Sequence, residues 1–139
     1  LKSEGYFTIA ISGSQQELVE PFARRYGFDM WVGQQWERGS EYFTGNVTKT
    51  HTGKDIIIRR LIDEHNLTLK DSYAVGDSNG DSGMLSIVDH PIAFNPTHEL
   101  LEKALLNGWK IVLERKNTSL ELIKEPNHGQ YILEKTNQH

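Results

Sequence analysis

A chain of 139 residues, 37% hydrophobic and 24% charged, has the size and composition of one ordinary globular domain. Its net charge of −4 gives no basic face for nucleic acid, and no apolar run is long enough to span a bilayer, so neither is expected as a partner. The absence of cysteine excludes disulfides and thiolate metal sites and agrees with a reducing, cytoplasmic compartment.

In chain order, residues 1–5 read as a helix end with Gly5 as its cap. Tyr6–Ile11 is a continuous apolar, β-branched run, which predicts a strand buried on both faces of a parallel sheet. It stops at Ser12-Gly13-Ser14, and a helix is expected at once, with Ser14 and Glu17 as a capping box. Leu18, Val19, Phe22, Ala23 and Tyr26 form its apolar stripe, Pro21 predicts a kink or short break, and Gly27 ends it. Ser12 thus lies where a strand hands over to a helix N-terminus, a ready anion site with free N–H groups. The plainer reading makes both serines helix caps; it suits Ser14 better than Ser12.

Residues 30–47 carry β-prone aromatics, Trp31, Trp36, Tyr42 and Phe43, around the turn cluster Glu37–Ser40, and predict a β-hairpin. Such aromatics could shelter a substrate, but more often they pack on a core. Thr52 is expected to cap the next helix, whose buried face would be Ile57, Ile58, Leu61, Ile62 and His65. Lys54 falls in its first turn, where a cation opposes the dipole at a cost on the order of a few tenths of a kcal/mol. Function is therefore expected to hold it there, and its loss to leave stability nearly unchanged, although a lone Lys is ordinarily a solvated surface residue.

Ser72–Gly76 predicts a short strand, apolar at Tyr73 and Val75, that runs into the turn Asp77-Ser78-Asn79-Gly80-Asp81. Asp77 and Asp81 could converge on one hard cation, since magnesium takes oxygen ligands and is often held by one or two carboxylates with a substrate phosphate. Turn and cap positions also favour Asp, and for the motif alone the two readings stand even. A short helix through Met84 and Leu85 should follow, then a strand at Pro91–Phe94. Asn95 and Pro96 would start a helix as cap and first residue, and Asn107-Gly108 would end it. Trp109–Leu113 reads as a strand, and the polar remainder carries one further strand near Gln130–Leu133. Strands alternating with helices predict an α/β fold with a mostly parallel sheet. The candidate polar residues, Ser12, Lys54, Asp77 and Asp81, all fall at strand ends or helix starts, where such a sheet gathers its ligand groups.

With these residues in place, the chain resembles the haloacid dehalogenase-like (HAD) phosphohydrolases, in the branch similar to phosphoserine phosphatase. Ile11-Ser12-Gly13-Ser14 looks like the second motif of that family, Gly53-Lys54-Asp55 like the third and Val75–Asp81 like the fourth. His90–Pro96 is similar to the segment that follows in this branch, and Gly80 stands where phosphoserine phosphatases often have Asn. The resemblance implies a Rossmann-like HAD core over residues 1–113, with helices on both sheet faces and the hairpin inside it, and residues 114–139 as an extension. It implies a magnesium-dependent phosphomonoester hydrolase acting on a small phosphorylated substrate. Ser12, Gly13 and Lys54 would bind the phosphate, Asp77 would ligate the metal, and Asp81 would position a metal-bound water or the lysine. The family's first motif, an Asp-x-Asp pair carrying the nucleophile, occurs nowhere in these residues, and neither does the helical cap. An upstream segment of the same protein is expected to supply both. Two other readings compete: a non-catalytic phosphate- or metal-binding module, and a receiver-like signalling domain. The order Ser, Lys, Asp pair favours the phosphatase.

Overall fold

The computed structural model describes residues 2–38, 43–48 and 53–138. The chain forms two compact units, Leu1–Thr52 and Gly53–His139.

In the first unit a 3-10 turn, Lys2–Glu4, ends at Gly5, whose φ of +86° is the left-handed geometry that glycine adopts without strain. Strand β1 (Ile9–Gln15), helix α1 (Gln16–Arg25), strand β2 (Met30–Arg38) and strand β3 (Phe43–Thr48) follow. The sheet order is β1-β2-β3, with β1 and β2 parallel and β2 and β3 antiparallel. The hairpin is therefore present, but Glu37 and Arg38 continue β2, and the rest of the expected turn lies outside the described residues. The side chains of Trp36, Tyr42, Phe43 and Val47 also lie outside them.

Strand β1 starts three residues later than the apolar run suggested, and its apolar residues Ile9, Ala10 and Ile11 are half-buried rather than buried on both faces. Among the described residues it pairs on one edge alone, which leaves its apolar side chains less covered than an interior strand's. Helix α1 runs through Pro21 without a break and buries Val19 and Ala23, while Leu18, Phe22 and Tyr26 stay exposed. Its N-cap is Gln15 with no side-chain bond, so Ser14 does not cap it. The helix ends as expected at Gly27 (φ +71°): Phe28 N–H reaches Ala23 C=O and Gly27 N–H reaches Arg24 C=O.

The second unit comprises helix α2 (Lys54–His65), strand β4 (Tyr73–Gly76), the 3-10 turn Asn79–Asp81, helix α3 (Ser82–Leu85), strand β5 (His90–Phe94), helix α4 (His98–Asn107), and strands β6 (Lys110–Arg115), β7 (Thr118–Lys124) and β8 (Tyr131–Gln138). Strands β4, β5 and β6 are parallel neighbours, and β6, β7 and β8 continue the sheet antiparallel. Thr52, the expected cap of α2, lies outside the described residues, and the N-cap is Gly53. Ile58 and Leu61 are buried as predicted, but His65 is exposed at the helix end.

The core joins Ala74, Leu85, Ala93, Leu100, Ala104, Trp109 and Ile111. Leu85, Leu100 and Ile111 are fully buried, each contributing about 1.5–3 kcal/mol by leaving water. On β4 the buried residues are Ala74 and Gly76; Tyr73 and Val75, the apolar ones in sequence, are 48% and 57% exposed. Helix α4 begins two residues after the expected start, with Thr97 as N-cap. Asn95 is committed to the sheet instead: at φ +42°, its N–H bonds Val112 C=O and its Oδ1 accepts from Glu114 N–H.

Beyond β6 the polar remainder supplies two strands where one was expected. Leu122 and Tyr131 pack against the core, and the Tyr131 hydroxyl faces the carbonyls of Ala104 and Trp109, 2.8 Å from each. A bulge at Glu134 sets it beside Glu121 on the Lys110 ammonium, at 3.0 and 2.7 Å.

Candidate active site

Asp81 is the most enclosed polar residue of the predicted set, 3% exposed. It occupies the last position of the 3-10 turn that follows β4, and Ser78 and Asp81 form a capping box around that turn. Its Oδ2 accepts from the backbone N–H of Asp77 (3.0 Å), the backbone N–H of Ser78 (3.1 Å) and the Ser78 hydroxyl (3.2 Å). Its Oδ1 accepts from the Lys54 ammonium, which arrives from the first turn of α2. Burial pushes the carboxyl up, but the Lys54 ammonium and the Ser78 and Asp77 donors outweigh it and hold Asp81 below the ordinary carboxylate value. The residue is therefore a buried, ionised acceptor with both oxygens engaged.

Two glycines make this approach feasible. A Cβ built on Gly76 would stand 2.8 Å from Asp81 Cγ and 2.9 Å from Oδ2, so only glycine lets β4 run directly under the carboxylate. At Gly83, in α3, a Cβ would stand 2.9 Å from Oδ1 of Asp55, the neighbour of Lys54. The start of α2 thereby docks closely on α3, which sets the reach of the lysine.

Asp77 sits at the carboxyl end of β4 with its side chain exposed. Its carbonyl accepts from Thr97 N–H at 2.8 Å, which ties the loop before α4 to the acidic loop. No group of three or more acidic, His or Cys side chains able to hold a metal occurs among the described residues. A magnesium ion held by the Asp77 carboxylate, waters and a phosphate needs no such cluster, and the hard oxygen at this strand end suits it.

Ser12 and Gly13 belong to the first unit. There the ladder between β1 and β2 is regular from Ile9 to Ile11, then breaks until Gln15 meets Gln34, so Ser12–Ser14 bulge out of it. Ser12 Oγ accepts from Ser14 N–H at 3.1 Å and keeps its own proton to donate. Gln16 and Gly33 fix this bulge: Gly33 N–H donates to Gln16 Oε1, and a Cβ on Gly33 would lie 2.9 Å from the Gln16 nitrogen. The structure thus brings Lys54, from the first turn of α2, onto Asp81 in the loop that also carries Asp77, while Ser12 and Gly13 lie at the β1 bulge of the first unit.

Sequence reasoning missed Ser78, Thr97, Gln16 and Gly33. Ser78 was legible, since Ser-x-x-Asp is a capping-box pattern. The other three act through backbone or amide contacts that leave no local signature.

The chain belongs to the haloacid dehalogenase-like hydrolase family: residues 1–86 match its profile. Among curated relatives, the histidinol-phosphatase of Neisseria meningitidis is 32% identical over 112 residues, 76% of this chain and 50% of the relative. The phosphoserine phosphatase of Mycobacterium tuberculosis is 28% identical over 107 residues, 75% of this chain and 26% of the relative. The chain therefore spans half or less of the length of these relatives. A solved phospho-aspartyl intermediate analogue of phosphoserine phosphatase superposes with a TM-score of 0.70 at 25% identity, covering 83% of this chain and 54% of that one. Apo phosphoserine phosphatase gives a TM-score of 0.66 at 26% identity, with 73% and 52% covered. The α/β, Rossmann-like fold and the likeness to phosphoserine phosphatase both agree with the sequence resemblance.

Proposed function

We propose that this chain supplies the phosphate- and metal-binding part of a magnesium-dependent phosphomonoester hydrolase acting on a small phosphorylated substrate. The observation that carries the reading is the Lys54–Asp81 pair, seated at a strand end on a loop braced by the Asp77 and Ser78 N–H groups. Such a pair holds an ammonium in a fixed place, and phosphoryl transfer depends on positioned charge more than on covalent help. Magnesium, ligated by Asp77, would neutralise phosphoryl charge.

In this reading Lys54 faces the phosphoryl oxygens, and Asp81 keeps Lys54 aimed. The attacking carboxylate comes from outside these 139 residues, which contain no Asp-x-Asp. Its oxygen bonds to phosphorus as the bond to the substrate oxygen breaks, and the second carboxyl of that Asp pair, acting as general acid, gives its proton to the leaving alcohol. Water then hydrolyses the aspartyl phosphate, returning the carboxylate and releasing phosphate. The solved phospho-aspartyl analogue of a phosphoserine phosphatase supports this route by likeness.

The alternative is a phosphate- or metal-binding module without chemistry. Hydrolysis of p-nitrophenyl phosphate by the full-length protein separates the two. Magnesium-dependent turnover that Lys54→Ala lowers by about 10²–10³ fits the hydrolase, as expected for lost transition-state charge stabilisation. Phosphate binding without turnover fits the module.

A further inference from the structure

Lys103 lies on α4, outside every motif that the sequence brings forward. Its ammonium donates to Asn79 Oδ1 at 2.6 Å and to Ser82 Oγ at 3.2 Å. Asn79 opens the 3-10 turn that ends at Asp81, and Ser82 follows it directly. One half-buried cation therefore bridges the chain on both sides of Asp81. Both acceptors are neutral, so among the described residues no ion pair accounts for a lysine here, and neither partner cancels its charge beside an acidic loop.

Helix α4 is a firm base for such a bridge. Leu100 and Ala104 are fully buried, and Trp109 N–H bonds Ala104 C=O beyond the helix end. The turn it holds is closed on itself by the Ser78–Asp81 capping box, but it contains Gly80, and α3 behind it is a single turn. Yet this turn must keep Oδ1 of Asp81 on Lys54 and Oδ2 on the Asp77 and Ser78 N–H groups.

We propose that Lys103 is a positioning residue: it fixes the Asn79–Ser82 turn so that Asp81 aims Lys54 and braces Asp77. It reaches the reaction only through Asp81. The inference rests on the phosphatase reading above.

The test compares wild type, Lys103→Met and Lys103→Arg in the full-length protein, by amide hydrogen exchange and by turnover of p-nitrophenyl phosphate. Losing a charged donor to the turn should speed exchange at the Asp77 and Ser78 amides by on the order of tenfold, with the β5 and β6 amides unchanged. Turnover should fall by about tenfold with KM nearly constant, and Arg should recover most of both. Unchanged exchange at Asp77 and Ser78 overturns the inference, as does faster exchange with full turnover. Exchange accelerated across the whole sheet also overturns it, because the role is then merely structural. A wild type that hydrolyses no phosphomonoester sinks the phosphatase reading and this inference together, and the inactive wild type marks that case. If Lys103→Met fails to fold, Asn79→Ala with Ser82→Ala removes the same bridge from the other side and is read by the same outcomes.

Discussion

Lys54 and Asp81 stand 27 positions apart and meet as an ion pair whose side chains are 24% and 4% exposed. The lysine was expected to serve the phosphate and not the fold. The pair gives it a duty in the fold as well, because a buried carboxylate needs its donor. Removing Lys54 leaves Asp81 with three donors on one oxygen and none from Lys54 on the other. Lys54→Ala should therefore lower stability by about 1–3 kcal/mol, the cost of stranding a buried acceptor. Urea unfolding of the full-length protein measures this, and a variant as stable as wild type contradicts it.

Gly76→Ala tests the close approach beneath Asp81. The added methyl meets Asp81 Cγ at 2.8 Å, and the carboxylate cannot yield without losing its donors. Overpacking of this kind costs about 1–3 kcal/mol, and turnover should fall with it. Gly83→Ala makes a useful contrast, since it meets the far end of the Asp55 side chain, at 2.9 Å, which can rotate away. Equal behaviour of the two variants in thermal unfolding and turnover would remove the assignment.

Asp77 carries the magnesium prediction. Asp77→Asn removes a charge from a site of hard oxygen ligands, so calorimetry should show magnesium affinity reduced by tenfold or more, with the fold intact, on the order expected for a lost ligand charge. Equal affinity in both proteins would take Asp77 out of the metal site.

Acid sensitivity of the first unit should centre on Asp29. The Lys2 ammonium, then the Thr8 hydroxyl and N–H, hold its carboxyl at about 2, against 3.8 for a free one. A depressed value means that the folded state favours the charged form. The stabilisation is then complete above about pH 4 and disappears as pH falls through about 2. Wild type should exceed Asp29→Asn in stability near neutrality, and the gap should close over that window. A gap that stays constant down to pH 2 would rule the linkage out.

How much of this was legible in advance depended on the range of the interaction. Short-range patterns were readable: the Gly27 and Gly108 helix stops, the parallel strands between helices, and Lys54, Asp77 and Asp81 as polar residues at a helix start or just past a strand end. Each follows from the backbone preferences of a few neighbouring residues or from motif order along the chain. Asn95 looked like a helix cap on the same grounds, and there the local rule lost, because Val112 and Glu114 claimed its backbone and side chain for the sheet.

What the sequence by itself determined, then, was the class of fold and which charged residues gather at the loop after Val75. The tertiary structure alone decided which strand residues are covered. Ala74 and Gly76 face the core while Tyr73 and Val75 do not, because burial depends on what packs against a face and not on the apolarity of the residues. It also decided that Thr118–Lys124 is a strand, since its partners Glu121–Lys135 and Leu122–Leu133 lie across a hairpin. Lys103 is the clearest case. A single lysine on an amphipathic helix reads as solvated, and only the packing of α4 beside the Asn79–Ser82 turn brings its ammonium to 2.6 Å from an amide oxygen 24 residues away.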